Sequence, residues 1–293
     1  MSKADLQGWL GTTAALVIGA AIAFAGGQDS VYWHGWPLFV CCALLAYIVQ
    51  WVVFVPSYLA HTEHFFDLTG SLTYLTVTGL AFFAGTGDVR AGVIALLVAV
   101  WAMRLGSFLF LRVRHDGSDG RFDELKYSFP RFLMTWTLQG LWVLLTLAAG
   151  LAAMTTTRSV PMGALAWAGV ALWLIGFAIE AAADAQKRAF RRDPANGGRF
   201  ITSGLWAWSR HPNYFGEITL WFGIALIAAE TLSGWRWATL ISPLFVFALL
   251  NFISGVPLLE ARGKKRWGDD PEYRAYRART PVLMLRPPRV NRS

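Results

Sequence analysis

The chain has 293 residues, of which 55% are hydrophobic and only 15% charged, with 15 Trp and 20 Phe and a mean hydropathy of +0.43. An ordinary soluble domain carries about 25% charged residues, so this composition excludes disorder, a coiled coil and a disulfide-built secreted scaffold, and it argues against a soluble globular enzyme. The net charge of +8 fits the cation bias of cytoplasmic loops in a polytopic membrane protein better than nucleic-acid binding.

About 20 mostly apolar residues cross a hydrocarbon core, and eight stretches qualify: 8–25, 36–59, 68–84, 90–111, 131–153, 161–182, 214–230 and 235–257. They predict an all-α polytopic membrane bundle of seven to eight transmembrane helices, organised as a single membrane domain over residues 1–293. The first stretch ends on Ala23-Phe24-Ala25, a signal-peptidase pattern. Its n-region has only Lys3, balanced by Asp5, so the span is expected to be retained. Cys41 and Cys42, adjacent in an apolar run, read as small buried residues.

The third stretch opens on His61-Thr62-Glu63-His64-Phe65-Phe66-Asp67. The spacing H-x-E-H matches no strong ligand pattern, and no metal site is expected. Asp67 reads either as a helix N-cap or as a functional carboxyl, and Tyr74 follows it two turns later on the same face. In the fourth stretch Arg104 lies inside an apolar run, where an arginine is expensive without a partner and marks a functional position or a structural ion pair. Arg112 follows at i+8 on the same face.

Three polar segments, 112–131, 184–213 and 258–293, hold 21 of the 26 Lys and Arg residues. A pair of predicted spans separates each segment from the next, so all three lie on one side, which the positive-inside rule assigns to the cytoplasm of the inner (plasma) membrane. A charged cofactor is then met from the cytoplasm, and an apolar substrate from the bilayer. The sixth helix ends with Glu180, Asp184, Arg188 and Arg191 nearly on one stripe, either a solvated salt-bridged end or a binding face. Arg199 follows the flexible segment 193–198, placed to reach a phosphate.

The richest segment is Gly204-Leu205-Trp206-Ala207-Trp208-Ser209-Arg210-His211-Pro212-Asn213-Tyr214-Phe215-Gly216-Glu217. Pro212 suits the first turn of a helix, and Asn213, Glu217 and Trp221 then share a face. An amide and a carboxylate entering the membrane require partners. The tail 258–293 is predicted to carry an ordered amphipathic turn at Asp270-Pro271-Glu272-Tyr273. Its cations either fold over the cofactor mouth or rest on anionic lipid.

Arg104-Leu105-Gly106, Glu180-x-x-x-Asp184-x-Gln186-Lys187-Arg188 and Gly204–Glu217 together resemble the steroid 5-alpha-reductase superfamily, its bacterial branch of unknown substrate in particular. The resemblance covers about residues 67–281. It implies a helical membrane reductase that passes hydride from NADPH to a C=C bond conjugated to a carbonyl in a lipophilic, steroid-like or other unsaturated lipid. Carried over residue by residue, it assigns Arg104, Asp184, Arg188, Arg191, Arg199, Asn213 and Glu217 to the cofactor; Arg112, Glu180, Arg210, His211 and Tyr214, which stand among them in the sequence, are further cofactor-binding candidates. The family's catalytic Tyr, three residues before the Arg matched by Arg104, is here Trp101, and its Glu, 34 residues before that Tyr, is here Asp67. Asp67 and Tyr74 are therefore the catalytic candidates. The looser R-H-P-x-Y pattern also occurs in S-adenosylmethionine-dependent membrane methyltransferases of the isoprenylcysteine and phospholipid type, which is the alternative; a non-enzymatic lipid-binding or assembly subunit is a third reading. The expected partners are a lipophilic small molecule from the bilayer and membrane lipids, with no nucleic acid and no obligate protein partner.

Overall fold

The computed structural model describes residues 2–116 and 122–288, with side chains for 2–107 and 122–288. The order is α1 (Lys3–Gly27), a two-stranded hairpin of β1 (Tyr32–Trp33) and β2 (Trp36–Pro37), α2 (Leu38–Leu59), α3 (Phe66–Ala84), α4 (Val89–Asp116), α5 (Phe129–Met154), α6 (Ala164–Arg192), α7 (Pro212–Ala229), α8 (Ile241–Ala248), α9 (Val256–Trp267) and α10 (Pro271–Arg279). The architecture is an all-α polytopic membrane bundle. The chain forms two compact units, one of Met1–Trp167 with Ala225–Ser242, the other of Ala168–Ile224 with Pro243–Ser293.

Among the described residues six segments are long and apolar enough to cross a membrane: Lys3–Gly27, Leu38–Leu59, Val89–Ser107, Phe129–Met154, Ala164–Arg192 and Gly234–Trp267. Two of the eight expected spans, 68–84 and 214–230, are helices in place as α3 and α7 but fall outside that set. Helix α3 carries Thr69, Ser71, Thr73, Thr76 and Thr78, several of whose hydroxyls bond back to carbonyls in the preceding turn. Helix α7 has 18 residues, about 27 Å at 1.5 Å per residue, just short of the hydrocarbon thickness.

In the first unit α5 is the centre. From Val143 to Met154 every residue is buried, as expected for a helix apolar on all sides. Helix α1 lies against it through small residues: a Cβ on Gly8 would stand 2.7 Å from the Pro130 carbonyl carbon, and one on Gly11 would strike Met134. The Tyr47 hydroxyl of α2 donates to the Ala15 carbonyl at 3.0 Å in the space left by Gly19. Without a hydrophobic driving force between helices in lipid, close approach of this kind supplies the packing.

Each end of this unit is tied by polar bonds. At one end the buried Arg90 guanidinium donates to the carbonyls of Ile227 and Pro161 and pairs with Glu230 at 2.8 Å. Nearby in the chain order of that end, buried Arg236 donates to the carbonyls of Ala152 and Asp29. At the other end Lys126 meets the buried Glu63 at 3.0 Å, and Ser128 donates to Asp5 at 2.7 Å.

In the second unit α6 and α7 cross at glycine. A Cβ on Gly176 would stand 2.6 Å from the Gly216 carbonyl oxygen, and one on Gly223 would stand 2.7 Å from that of Gly169. The expected span 235–257 lies within the apolar segment Gly234–Trp267 but is not one regular helix: a 3-10 stretch Gly234–Leu240 leads into α8, a π turn follows at Leu249–Ile253, and a break at Ser254-Gly255 precedes α9. The Ser254 amide bonds the Leu249 carbonyl at 2.9 Å, and a Cβ on Gly255 would stand 2.3 Å from the Leu250 oxygen, so only glycine fits the break. Pro257 in the first turn of α9 restarts the helix. Interruptions of this type recur at functional positions in membrane proteins.

Candidate functional site

The site in the second unit is assembled from the end of α6, the segment before α7, and α9–α10. Gly204 adopts φ +59° with the Gln186 amide oxygen 2.6 Å from where a Cβ would be. That amide accepts from the Leu205 N–H at 2.9 Å. The turn drops Trp206 into the core, where its indole N–H donates to the Ala183 carbonyl at 3.0 Å and its ring lies 4.5 Å from the Lys187 ammonium. The Tyr276 hydroxyl of α10 donates to the Trp206 carbonyl at 2.7 Å. Burial raises the Tyr276 phenol well above its ordinary value, so it stays a neutral donor.

The chain after α10 runs beside the segment 208–210 almost as a paired strand. The Arg210 N–H donates to Pro281, the Arg286 N–H to Trp208, and the Ser209 hydroxyl to Leu283. Ser209 Oγ also accepts the His211 N–H at 3.1 Å. These bonds fix Arg210 and His211 just where Pro212 opens α7.

A cavity of about 290 Å³ lies here. Six cationic side chains line it: Lys187, Arg191, Arg199, Arg210, Arg262 and Arg266. Among the described residues Glu260 is the only acid in its wall, and aromatic rings from Phe190, Phe200, Trp206, Trp267, Tyr273 and Tyr276 complete it. Glu260 is itself a hub: it takes Arg210 at 2.5 Å, Arg277 at 2.9 Å and His211 Nε2 at 3.2 Å.

Burial holds the His211 imidazole below its usual value, against the opposing hydrogen bond from Glu260. A neutral ring that donates through Nε2 to Glu260 leaves Nδ1 as an acceptor. This Nδ1 is buried and has no hydrogen-bond partner among the described residues. The Tyr214 ring stacks on the imidazole at 5.5 Å and 10°.

The sequence-derived candidates fall as follows. Arg191, Arg199, Arg210 and His211 line the cavity. Glu180 and Asp184 are buried on α6, and Glu180 lies against the Gly216 backbone, which places Asn213 and Glu217 one turn or less from the helix crossing. Asn213 Oδ1 is buried without a partner among the described residues. Arg188 is exposed.

In the first unit Asp67, Ser71 and Tyr74 share one face of α3, and Ser71 packs where Gly106 of α4 leaves room. Tyr74 meets Trp101 edge-on at 5.0 Å, both rings buried, and half-buried Arg104 lies one turn beyond Trp101. Asp67 is not the N-cap of α3: Phe65 holds that position and Asp67 sits in the first turn, where a carboxylate favours the helix dipole. The side chain of Arg112 lies outside the described ones.

The sequence reading did not single out Glu260, Arg262, Arg266, Trp267 or Arg277. A single carboxylate among the cations of 258–266 was the available signal.

Residues 33–280 match the family described as protein of unknown function, DUF1295. The chain belongs to this family. It is 37% identical over 82 residues to bovine 3-oxo-5-alpha-steroid 4-dehydrogenase 1, across 28% of this chain and 30% of that protein. It is 39% identical to a Delta(14)-sterol reductase of Methylotuvimicrobium alcaliphilum, across 20% of this chain and 17% of the relative. The chain thus matches less than a third of the length of either relative. These likenesses bear out the resemblance to the steroid 5-alpha-reductase superfamily. No solved structure matches the chain.

Proposed function

We propose that this DUF1295 protein is a membrane reductase that uses NADPH to reduce the activated C=C bond of a lipophilic enone. The observation that supports it most is the cavity wall, six cations against one carboxylate with aromatic planes between them. Arg191, Arg199 and Arg262 have no ion pair among the described residues. Their planar guanidinium groups suit a pyrophosphate and a 2′-phosphate, and the rings suit an adenine face.

The polar donor–acceptor set fits as well. His211 lines the cavity, and leaving its buried Nδ1 unpaired costs about 1–3 kcal/mol. A carboxamide N–H and a ribose hydroxyl are donors of the required kind. The volume is at the lower end for ligand clefts, about 300–1,000 Å³, which is room for one end of a dinucleotide.

Bound NADPH supplies the hydride for the β-carbon of the enone, and solvent supplies the proton for the α-carbon. The chain's own contribution is to orient and polarise. Lys187 and the arginines hold the phosphates. In this reading the Tyr74 phenol, or Asp67 when protonated, donates to the substrate carbonyl and stabilises the charge that develops on it. Trp101, at the family's tyrosine position, donates one hydrogen bond but cannot supply a proton. The cavity residues come from the cation-rich segments, so the positive-inside rule favours a cytoplasmic site and C-terminus in a bacterial inner membrane.

The test is NADPH binding to the detergent-purified full chain. A charge-assisted hydrogen bond contributes about 1.5–3 kcal/mol. Since Arg191 and Arg199 are exposed, the lower figure applies, and Arg191→Ala or Arg199→Ala should each weaken binding about tenfold. NADPH binding unaffected by both variants removes this cavity from the cofactor's path. S-adenosylmethionine binding without NADPH binding replaces the reductase by a methyltransferase.

A further inference from the structure

The polar wall of the cavity is sorted along α9. Glu260 stands at one end of the stretch that lines it and Trp267 at the other, seven residues apart, about 10 Å along the helix. At the Trp267 end the indole N–H donates to the Gly198 carbonyl at 2.5 Å, which holds the neighbouring Arg199 there. The Arg266 guanidinium lies 4.9 Å over the Trp267 ring. Neither arginine meets a carboxylate among the described residues. At the Glu260 end, by contrast, Arg210 and Arg277 are both occupied by the carboxylate. The buried His211 Nδ1 at that end is an acceptor in want of a donor.

We infer that Glu260 sets the direction in which a phosphorylated ligand lies in this cavity: it keeps phosphate from its own end and holds His211 so that Nδ1 accepts from an uncharged donor there. The inference rests on the dinucleotide reading above and names Glu260 as its positioning residue. Like charges repel most where water is scarce, so a phosphate beside Glu260 is disfavoured while one beside Arg199 and Arg266 is favoured. The Nε2–H to Glu260 bond selects the tautomer in which Nδ1 carries a lone pair. The charged and titratable groups facing the imidazole are Glu260 from α9, Arg210 from its own segment and Lys187 from α6, with Tyr214 stacked on it. The two cations and burial keep the ring neutral, the state in which Nδ1 accepts.

The experiment compares two probes, NADPH and inorganic pyrophosphate, on the full chain in detergent, with the thermal midpoint recorded for each variant. Glu260→Gln removes the repulsion and releases Arg210 and Arg277. Pyrophosphate should then bind about threefold tighter or more, while NADPH, deprived of its fixed acceptor, should bind about tenfold weaker. Glu260→Asp should keep both affinities within about threefold of the unaltered protein. A merely structural role moves both probes in the same direction, and that result, or no movement in either, overturns the inference. Should Glu260→Gln fail to fold, His211→Gln carries the test: NADPH about tenfold weaker with pyrophosphate unchanged supports it, and unchanged NADPH overturns it. Failure of the unaltered chain to bind NADPH refutes the dinucleotide reading and this inference with it, whereas normal NADPH binding with both probes moving together refutes the role of Glu260 alone.

Discussion

Gly216→Ala probes the crossing that carries Glu180, Asn213 and Glu217. A Cβ at Gly216 would lie 2.6 Å from the Glu180 amide nitrogen, 2.6 Å from the Gly176 carbonyl oxygen and 2.9 Å from the Glu180 Cβ. Two of these are backbone atoms of α6 and cannot rotate aside, so the cost belongs near the top of the overpacking range of about 1–3 kcal/mol. Alanine in a helix recovers about 1 kcal/mol over glycine. The net loss is about 2 kcal/mol, or a fall of about 4–8 °C in the thermal midpoint, at about 2–4 °C per kcal/mol for a chain of this size. Gly79→Ala is the paired control, because nothing lies within 4 Å of its added methyl; it should be neutral or stabilising by up to about 1 kcal/mol. Tryptophan fluorescence during heating in detergent reads both. A Gly216→Ala midpoint at or above that of the unaltered protein refutes the close crossing, and with it the placement of Asn213 and Glu217 beside Glu180.

Two further predictions concern charge and chemistry. Because burial holds His211 below its usual 6.5, the unfolded chain takes up the proton first as pH falls. Stability should therefore drop as pH decreases below about 6.5 and be fully present above it; the midpoint of His211→Gln should lose this part of the pH dependence, and identical pH curves for the two proteins speak against it. Asp67→Asn and Tyr74→Phe should lower the turnover of an accepted enone, about 100-fold for the residue that polarises the carbonyl, with NADPH affinity unchanged; full turnover in both variants removes them from the chemistry.

Local rules made much of this fold readable. Apolar runs long enough for helices located all eight hydrophobic elements, Pro212 opened α7 as its missing N–H suggests, and Asp270 caps α10 through the Glu272 and Tyr273 amides. Residues 258–288 of the tail pack on the site, held by bonds such as Tyr276 to Trp206 and Arg210 to Pro281. What was not readable depends on partners distant in sequence. Glu260 meets Arg210 across 50 residues and Arg277 across 17, and no periodicity announces such a meeting. Arg90 is similar: it stands at the edge of an apolar run, yet it is buried against carbonyls more than 70 residues away and Glu230. The break at Ser254-Gly255 was hidden because hydropathy averages over it, while the collision that requires Gly255 exists only in three dimensions.

The most direct measurement of the central claim is equilibrium binding of NADPH, NADH and S-adenosylmethionine to the unaltered protein by calorimetry at fixed salt. The account predicts tight NADPH binding, NADH at least about tenfold weaker for want of the 2′-phosphate that the unpaired arginines serve, and no S-adenosylmethionine binding. Equal affinity for NADPH and NADH, or S-adenosylmethionine binding in place of both, contradicts it.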